Sequence, residues 1–382
     1  MKIQDYNIKG IKSVFLPDIH KWQFIEYSFK FLIKKYIYKE IKLPIIEKQE
    51  LFKKTLGKYS NILKKEMFSF KDKNNQIVTL IPEGTASCTK ELILADMIRN
   101  FQKINVWYMS PMFRRENPQK GRNRLFYQIG LESFGFKDYG KEVEHIFIFN
   151  QLFKLLNVND IILEINCIDN LKNTVFKRDM LNFFISYISN FNLLKKNLFS
   201  NPLSLLEKLK FFSNLNIPCQ LNYLSNDVRR RFIFFLYTLK KIGIYFVFNK
   251  FLVRGLDYYN AIVYEWTTLI DKKKLAICSG GRYDSLSKLI GKYESFSTGC
   301  AAGIDRLSLK IKLSDNFFSS KKVFFNLDQP LHINFKFFDF LSKKNDLLEC
   351  NEFGFDFKKK IIKGLKGNFF LIDKKFIKNE IN

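Results

Sequence analysis

The chain has 382 residues, and its 64 Lys and Arg against 37 Asp and Glu give a formal net charge of +27. With 47% hydrophobic and 26% charged residues it is not a disordered polyelectrolyte, and its length predicts two or three domains with ordinary cores. So large a charge favours a polyanionic partner, either nucleic acid or an anionic membrane. However, 52 of the cations are Lys and only 12 are Arg. Lys, Phe, Ile and Asn share A/T-rich codons, so codon drift is an alternative source of the basicity.

Cysteine and histidine placement excludes several classes of site. The closest two of the six cysteines, Cys278 and Cys300, are 22 residues apart, which excludes a zinc ribbon or a redox CxxC motif. Scattered cysteines in a long chain predict a reducing, cytoplasmic location with the thiols in the core. The first residues lack the apolar run of a signal peptide. The most apolar region, 232–248, is interrupted by Lys240 and Lys241, which favours a buried helix over a membrane span. The three histidines form no cluster, so no metal site is predicted.

Residues 1–160 alternate between helical and extended patterns. Apolar residues at three- and four-residue steps predict a helix over 18–36, with Asp18 as its cap. Pro44 in EIKLPIIE predicts an edge strand or an interface. Residues 67–85 predict a hairpin around Asn74-Asn75 that ends in a glycine turn. Two strands joined by the loop NPQKGRNR are predicted over 106–134, followed by a helix over 141–156.

In the second half, the sequence pattern changes from helical to extended. Residues 170–248 are Lys- and Phe-rich and predict helices, and 252–284 predict strands that include a hairpin. GCAAGIDRLSL predicts a glycine-rich turn that opens a last helix, and 321–382 predict a small α/β unit. Strands that arrive as hairpins between helices favour an antiparallel sheet in an α+β domain. The phosphate loops GxxxxGK[ST] and GxGxxG of parallel α/β folds do not occur.

Arginine positions carry more information than the net charge. Arg is a planar fork that binds phosphate or carboxylate through two hydrogen bonds, which Lys cannot do. A charged, solvated hairpin is the alternative interpretation, and the interleaved polar residues Gln119, Gln128 and Glu132 weigh against it. Four of the twelve arginines lie within eleven residues, and three more lie beside glycine or in polar turns: Arg114, Arg115, Arg122, Arg124, then Arg254, Arg282 and Arg306.

The segment FRRENPQKGRNRLFYQIGLE (113–132) resembles motif 2 of class II aminoacyl-tRNA synthetases, in the form found in the histidyl-tRNA synthetase family. Other segments resemble that family's motifs in the same order. EIKLPIIE resembles motif 1, LIPEGT (80–85) the histidine-binding PEGT segment, LVRGLDYYNAIVYEW (252–266) and SGGRYD (279–284) its two histidine signatures, and GCAAGIDRL (299–307) motif 3.

The resemblance covers residues 1–320 and implies a class II fold, an α+β antiparallel sheet flanked by helices. It assigns 1–320 to the catalytic domain, with a helical insertion at about 170–248, and 321–382 to a reduced anticodon-binding-like domain. The implied activity is that of a homodimeric histidine–tRNA ligase, which activates histidine with ATP and bound Mg²⁺ and transfers it to tRNA(His). A non-catalytic regulatory subunit of histidine biosynthesis with the same fold is the alternative, and a merely basic RNA-binding protein is a third.

For ATP, the resemblance implies that Arg114 and Arg254 are the catalytic residues beside the α-phosphate. Arg122 and Arg306 are expected toward the γ-phosphate, and adenine between the Phe126 ring and the Arg306 guanidinium. The ATP-binding residues are thus Arg114, Glu116, Arg122, Phe126 and Arg306.

For histidine, the resemblance assigns the ammonium to Glu83 with Thr85 and Gln128, and the two ring nitrogens to Glu132 and Tyr259. Tyr283 is expected to line the same pocket, and Tyr258 is left open between pocket and core. The histidine-binding residues are Glu83, Gly84, Thr85, Arg114, Gln128, Glu132, Arg254, Tyr258 and Tyr259.

For tRNA, the motif 2 loop, with Gln119 and Lys120, is expected to contact the acceptor end. Arg229–Arg231 are assigned to the acceptor stem or, alternatively, to a solvated helix face. Three positions depart from the family pattern: Ile81, Leu125 and Asp305.

Overall fold

The computed structural model describes residues 6–57, 60–168, 174–187, 218–252, 256, 258–291 and 293–312, with three further strands at 322–326, 347–350 and 369–371. The chain divides into two compact units, Met1–Ile311 and Lys312–Asn382. The assignment of 1–320 to a catalytic domain with an insertion at about 170–248, and of 321–382 to an anticodon-binding-like domain, stays a prediction.

Nine α-helices are described in the first unit. They are α1 (Asp18–Ile33), α2 (Gln49–Thr55), α3 (Gly84–Leu94), α4 (Met97–Asn100), α5 (Gly140–Leu155), α6 (Thr174–Tyr187), α7 (Asn226–Lys241), α8 (Leu286–Ile290) and α9 (Ile304–Ser308). None of the helices in this described part of the chain has the length and apolar content that crossing a bilayer requires.

Eleven strands are described in the same unit. They are β1 (Lys39–Glu40), β2 (Ile46–Lys48), β3 (Ser69–Lys71), β4 (Ile77–Leu80), β5 (Ile104–Phe113), β6 (Leu125–Phe134), β7 (Ile161–Cys167), β8 (Val247–Phe248), β9 (Ile262–Ile270), β10 (Lys273–Arg282) and β11 (Ser297–Gly303). The second unit contributes β12 (Lys322–Asn326), β13 (Leu347–Cys350) and β14 (Phe369–Leu371), which pair in parallel.

The main sheet has eight strands in the order β1-β5-β6-β11-β10-β9-β7-β8. Only the two outermost pairs, β1 with β5 and β7 with β8, are parallel, and all the inner pairs are antiparallel. The predicted α+β class with an antiparallel sheet is therefore confirmed. A second, three-stranded sheet has the order β2-β4-β3.

Consecutive residues of β6 place two helices on opposite faces of the main sheet. Neighbouring side chains of a strand point to opposite faces. The Ser133 hydroxyl lies 3.0 Å from Nε2 of His145 on α5, whereas the Glu132 carboxylate accepts a hydrogen bond from Thr85 on α3. The face that carries Glu132 is therefore the one covered by the start of α3.

Several local predictions are confirmed by these elements. The helix from residue 18 buries the predicted apolar face, including Trp22, Ile25 and Phe29. The strand around residue 40 is at the edge of the main sheet, as Pro44 indicates. The hairpin around Asn74-Asn75 forms as β3 and β4, with Asn75 at φ 60°.

Three local predictions were wrong. Asp18 does not cap α1, because it is already the first helical residue and the cap position is Pro17. Gly84 is not in a terminal turn but begins α3, with Glu83 as the N-cap. GCAAGID is not a turn before a helix: its residues 299–303 belong to β11, an inner strand of the main sheet, and only Ile304 begins α9.

Candidate active site

On the Glu132 face of the main sheet, β11 and β10 carry glycines beneath larger side chains. Gly299 pairs with Glu132, and a Cβ placed on Gly299 would lie 1.8 Å from the Glu132 carboxylate. A Cβ on Gly281, the next residue across on β10, would lie 2.9 Å from the ring of Tyr259. Glycine is therefore needed at both positions so that larger polar side chains fit above the strands. Gln128 on β6 points to the same face, four residues from Glu132.

Glu132 is fully buried on this face of the sheet and is surrounded by hydroxyl groups. The Thr85 hydroxyl donates to Oε1 at 2.8 Å, and the phenol of Tyr108 donates to the same oxygen at 3.3 Å. The phenol of Tyr283 donates to Oε2. Burial raises the pKa of Glu132 to about 8, although the three hydroxyl donors oppose that rise. A buried carboxylate with only uncharged donors around it is suited to bind a cationic or N–H-donating ligand.

Three tyrosines pack beside Glu132. The ring centroids of Tyr258 and Tyr259 are 4.9 Å apart, and both rings contact Tyr283 edge to face at 5.7 and 6.2 Å. All three are at most 5% exposed, so they form an aromatic wall with few free rotamers. The sequence left Tyr258 open between pocket and core. In the structure its ring is buried, and its phenol donates to Oε2 of Glu83 at 3.2 Å.

Glu83 is both a helix cap and a member of this cluster. Its two carboxylate oxygens accept the backbone N–H groups of Thr85 and Ala86, each at 2.9 Å, at the first turn of α3. Burial raises the pKa of Glu83, while these two backbone hydrogen bonds and the nearby Arg114 act in the opposite direction. The cap fixes the carboxylate, and Oε1 with a single donor keeps room for a further one.

Arg114 connects the PEGT segment to motif 2. Its Nε donates to the carbonyl of Pro82 at 2.8 Å, immediately before Glu83, and its guanidinium lies 5.3 Å from the centroid of the Phe126 ring. The strand β6 carries Phe126, Gln128 and Glu132 on one face, so the arginine and the Glu132 cluster belong to one continuous surface.

The motif 2 loop folds back as a tight turn that Arg306 ties to the sheet. Gln119 and Arg122 exchange backbone hydrogen bonds of 3.0 and 2.8 Å, and Gly121 between them has φ +73°. Nε of Arg306 donates to the Gly121 carbonyl at 2.8 Å and its Nη1 donates to the Ala276 carbonyl at 2.6 Å. At the tip, Lys120 pairs with Asp271 at 3.0 Å.

Positive charge accumulates between this loop and α9. The pKa of Arg306 falls to about 10, first because the side chain is largely desolvated and then because Arg122 and Arg114 repel its charge. Glu116, 3.4 Å from Arg122, only partly balances the group. Glu66 and Glu265 also act on these three guanidinium groups and offset part of their charge. The guanidinium groups that converge here suit an anionic ligand.

Arg282, which the sequence singled out as an arginine beside glycine, forms a buried ion pair. It is 2% exposed, and its Nε and Nη2 donate to the two carboxylate oxygens of Glu142 at 2.6 and 3.1 Å. Its remaining donors bond to the carbonyls of Phe136 and Asp138 and to the Asp284 carboxylate at 3.3 Å. The guanidinium fork is used here too, but on a carboxylate inside the protein.

This buried pair gives a stability prediction. Arg282→Met should lower the free energy of unfolding by about 3–5 kcal/mol, because it leaves the Glu142 carboxylate buried and unpaired. Urea denaturation of the variant measures the loss. The surface replacement Arg178→Met is the control, since Arg178 is exposed, and should change stability by at most about 0.5 kcal/mol. An equally stable Arg282→Met protein would contradict the structural role.

Some predicted residues are not brought into this arrangement or cannot be placed. Arg254 lies outside the described residues, so its catalytic role stays a prediction. On α7, Arg231 pairs with Asp227 at 2.6 Å and Arg229 bonds to the Leu221 carbonyl, which occupies two members of the Arg229–Arg231 run locally. Cys88 and Cys300 are buried in the core, as predicted.

Sequence reasoning missed Tyr108 and underestimated Asp305. Tyr108 lies in the largely apolar sequence of β5. Only the register of β5 against β6, with Tyr108 opposite Gly130, brings it to Glu132. The Asp305 carboxylate accepts the Tyr127 backbone N–H at 2.8 Å and the Asn123 amide at 3.0 Å, so it holds β6 and the motif 2 loop together. A glycine inside a strand indicates that another group packs closely against it, so Gly130 is the sequence signal that could have indicated the position of the Tyr108 ring.

The sequence pattern of the family described as Histidyl-tRNA synthetase matches residues 10–180. A histidine–tRNA ligase of Buchnera aphidicola subsp. Baizongia pistaciae is 39% identical over 313 residues, which are 80% of this chain and 73% of that protein. The chain belongs to the histidyl-tRNA synthetase family. A histidine–tRNA ligase of Francisella tularensis subsp. novicida is 37% identical over 333 residues, covering 84% of this chain and 78% of that protein.

Solved structures of the histidyl-tRNA synthetase family share the fold. Apo histidyl-tRNA synthetase of Staphylococcus aureus superposes with a TM-score of 0.76 at 24% identity, covering 97% of this chain and 91% of the other. A Bacillus halodurans protein described as an ATP phosphoribosyltransferase regulatory subunit/histidyl-tRNA synthetase gives 0.71 at 17% identity, covering 98% and 100%. At these identities the likeness establishes the fold alone.

Proposed function

We propose that this chain is a histidine–tRNA ligase that forms histidyl-adenylate from histidine and ATP and then transfers histidine to tRNA(His). The 37–39% identity to histidine–tRNA ligases supports the reaction. The observation that carries the proposal is the neighbourhood of two complementary sites. A buried, hydroxyl-ringed Glu132 lies on the same β6 face as Phe126, and the Phe126 ring lies against the guanidinium of Arg114. The charges of Arg114 and Arg122 act in turn on Arg306.

In the first step a histidine carboxylate oxygen attacks the α-phosphorus of ATP, and the bond to the pyrophosphate breaks. Both reactants are anionic, so positive charge at the α-phosphate is the main requirement. Arg114, fixed by the Pro82 carbonyl, provides it together with Arg254. Arg122 and Arg306 hold the outer phosphates, and Glu116 keeps Arg122 in place. Mg²⁺ bound with ATP supplies further positive charge to the phosphates.

Adenine is placed between the Phe126 ring and the guanidinium of Arg306, where it stacks on one and makes a cation–π contact with the other. Glu83, Thr85 and Gln128 surround the ammonium of histidine, and Gly84 lies between Glu83 and Thr85 at the start of α3. Glu132 and Tyr259 bind the two ring nitrogens, and Tyr258 closes the wall. These contacts disfavour other amino acids, because an apolar side chain would leave the buried polar groups of the pocket unpaired.

In the second step the terminal ribose hydroxyl of tRNA(His) attacks the acyl carbon, and AMP leaves. Gln119 and Lys120 at the exposed tip of the motif 2 turn are the proposed acceptor-end contacts.

The proposed location is the reducing cytoplasm. The cysteines support it, because Cys88, Cys167, Cys278 and Cys300 are buried and form no disulfide.

Charging of tRNA separates this proposal from the regulatory alternative. The purified chain, supplied with ATP, Mg²⁺ and radiolabelled histidine, should esterify tRNA(His) and leave tRNAs for other amino acids uncharged. A regulatory subunit would bind histidine without forming the ester, and a merely basic RNA-binding protein would bind all tRNAs with a steep salt dependence and no need of ATP.

We also propose a homodimer, formed by motif 1. Large apolar side chains of α1 and of the segment through β1 and β2 are exposed, a pattern that marks interaction surfaces. They are Tyr27, Phe31, Ile37, Ile45 and Ile46. Sedimentation equilibrium at micromolar concentration should give twice the chain mass, and Ile37→Glu together with Phe31→Glu should shift the mass toward the monomer. A monomeric wild type would contradict this assignment.

A further inference from the structure

Tyr108 is a buried phenol for which the recognised motifs have no role. It is completely buried on β5, and two glycines, Gly84 and Gly130, lie against its ring. A Cβ on Gly84 would lie 2.4 Å from the Tyr108 hydroxyl carbon and oxygen, and a Cβ on Gly130 would lie 2.1 Å from the ring. The start of α3 and the middle of β6 are thus both shaped to admit this one ring.

The hydrogen bonds at Glu132 indicate the role of the Tyr108 hydroxyl. A bound ligand that donates a hydrogen bond to Glu132 favours its ionised form, which has about four acceptor positions, two on each oxygen. Thr85 and Tyr108 occupy both positions of Oε1, and Tyr283 occupies one of Oε2. One position remains, on Oε2. Burial keeps the pKa values of both phenols well above their usual range, so they remain donors.

We propose that Tyr108 is a positioning residue for histidine recognition, which saturates Oε1 of Glu132 so that Oε2 alone presents a single acceptor to one imidazole N–H. The inference rests on the proposed function and deepens it. Without the Tyr108 donor, the carboxylate gains a second vacant acceptor and loses the constraint on its rotation. The ligand then meets a less ordered acceptor, and its discrimination weakens.

Tyr108→Phe is the test, since it removes only the hydroxyl and keeps the ring that packs against Gly84 and Gly130. We expect KM for histidine in ATP–pyrophosphate exchange to rise about tenfold or more, with kcat and KM for ATP within about twofold. The matched control is Tyr264→Phe. Tyr264 is also a fully buried tyrosine of the main sheet, and its hydroxyl interacts with Cys300 and not with Glu132.

The pH profile separates positioning from mere packing. The Tyr108 hydrogen bond lowers the pKa of Glu132, so its loss should move the midpoint of histidine KM against pH to higher pH. An unchanged histidine KM would overturn the proposal, as would a fall in kcat and thermal stability with an unmoved midpoint. If Tyr108→Phe does not fold, Thr85→Ala removes the other donor to Oε1 and must move the midpoint the same way.

Calorimetric titration with histidine distinguishes this inference from the proposed function. Wild-type protein that binds histidine but charges no tRNA would refute the ligase, while the affinity of Tyr108→Phe relative to wild type would still decide the role of Tyr108. Wild-type protein that binds no histidine would overturn both.

Discussion

Arg114→Lys is expected to reduce kcat of histidine-dependent ATP–pyrophosphate exchange by about 10²–10³-fold, a loss typical of removing one preorganised charge donor at a reacting centre. Arg114 uses Nε to hold the Pro82 carbonyl and has the rest of its fork free above Phe126. A lysine ammonium could bond to either the carbonyl or the phosphate, but it cannot do both in fixed geometry.

Arg115→Lys is the matched control, because Arg115 is the next residue, is exposed, and anchors the loop through its backbone N–H to the Glu66 carbonyl. Its exchange rate should remain within about threefold of wild type, as is usual for an exposed position away from the chemistry. Melting temperatures of both variants should match wild type. Wild-type exchange by Arg114→Lys would contradict the role assigned to Arg114.

Glu132→Gln is expected to raise KM for histidine about 10²-fold, because a charge-assisted hydrogen bond to the imidazole is lost and the amide presents a donor where an acceptor is needed. Exchange with other amino acids should fall less, so selectivity for histidine should decrease. The matched control is Glu47→Gln, which changes another buried glutamate, paired with Lys90 in the smaller sheet. Unchanged histidine KM in Glu132→Gln would refute the assignment.

Stability should move in the opposite direction to activity in Glu132→Gln. The folded pKa of Glu132 is about 8, above its ordinary value of 4.5, so the folded state holds this proton more tightly than the unfolded state does. The stability linked to that proton is present below pH 4.5 and is lost as the pH rises toward 8. The glutamine variant carries no such penalty and should be at least as stable as wild type at pH 8, by urea denaturation.

The antiparallel sheet could be predicted from the sequence because its hairpins are local. The strands β5 and β6 are neighbours in the sequence and are joined by a turn, and the same is true of β9 and β10. By contrast, β11 could not be recognised, because its seven residues STGCAAG are all small and include a single β-branched residue, Thr298. Its small residues follow from the site, since Gly299 leaves room for the Glu132 carboxylate and the Tyr283 phenol.

The site was predictable where a motif is continuous and not where it depends on long-range pairing. Glu83, Thr85 and Glu132 stand in recognisable segments, and the structure brings them together. Arg282 also stands in such a segment, but its partner Glu142 is 140 residues away in sequence, so nothing local indicated an internal ion pair. An arginine fork fits a phosphate and a buried carboxylate equally well, and only the fold decides between them.

ATP–pyrophosphate exchange with each of the twenty amino acids tests the central claim most directly, because it depends on the Glu132 pocket and the arginine cluster at once. The account predicts rapid exchange with histidine and, for every other amino acid, exchange slower by about 10³-fold or more. Faster exchange with a different amino acid, or none with histidine, would contradict it.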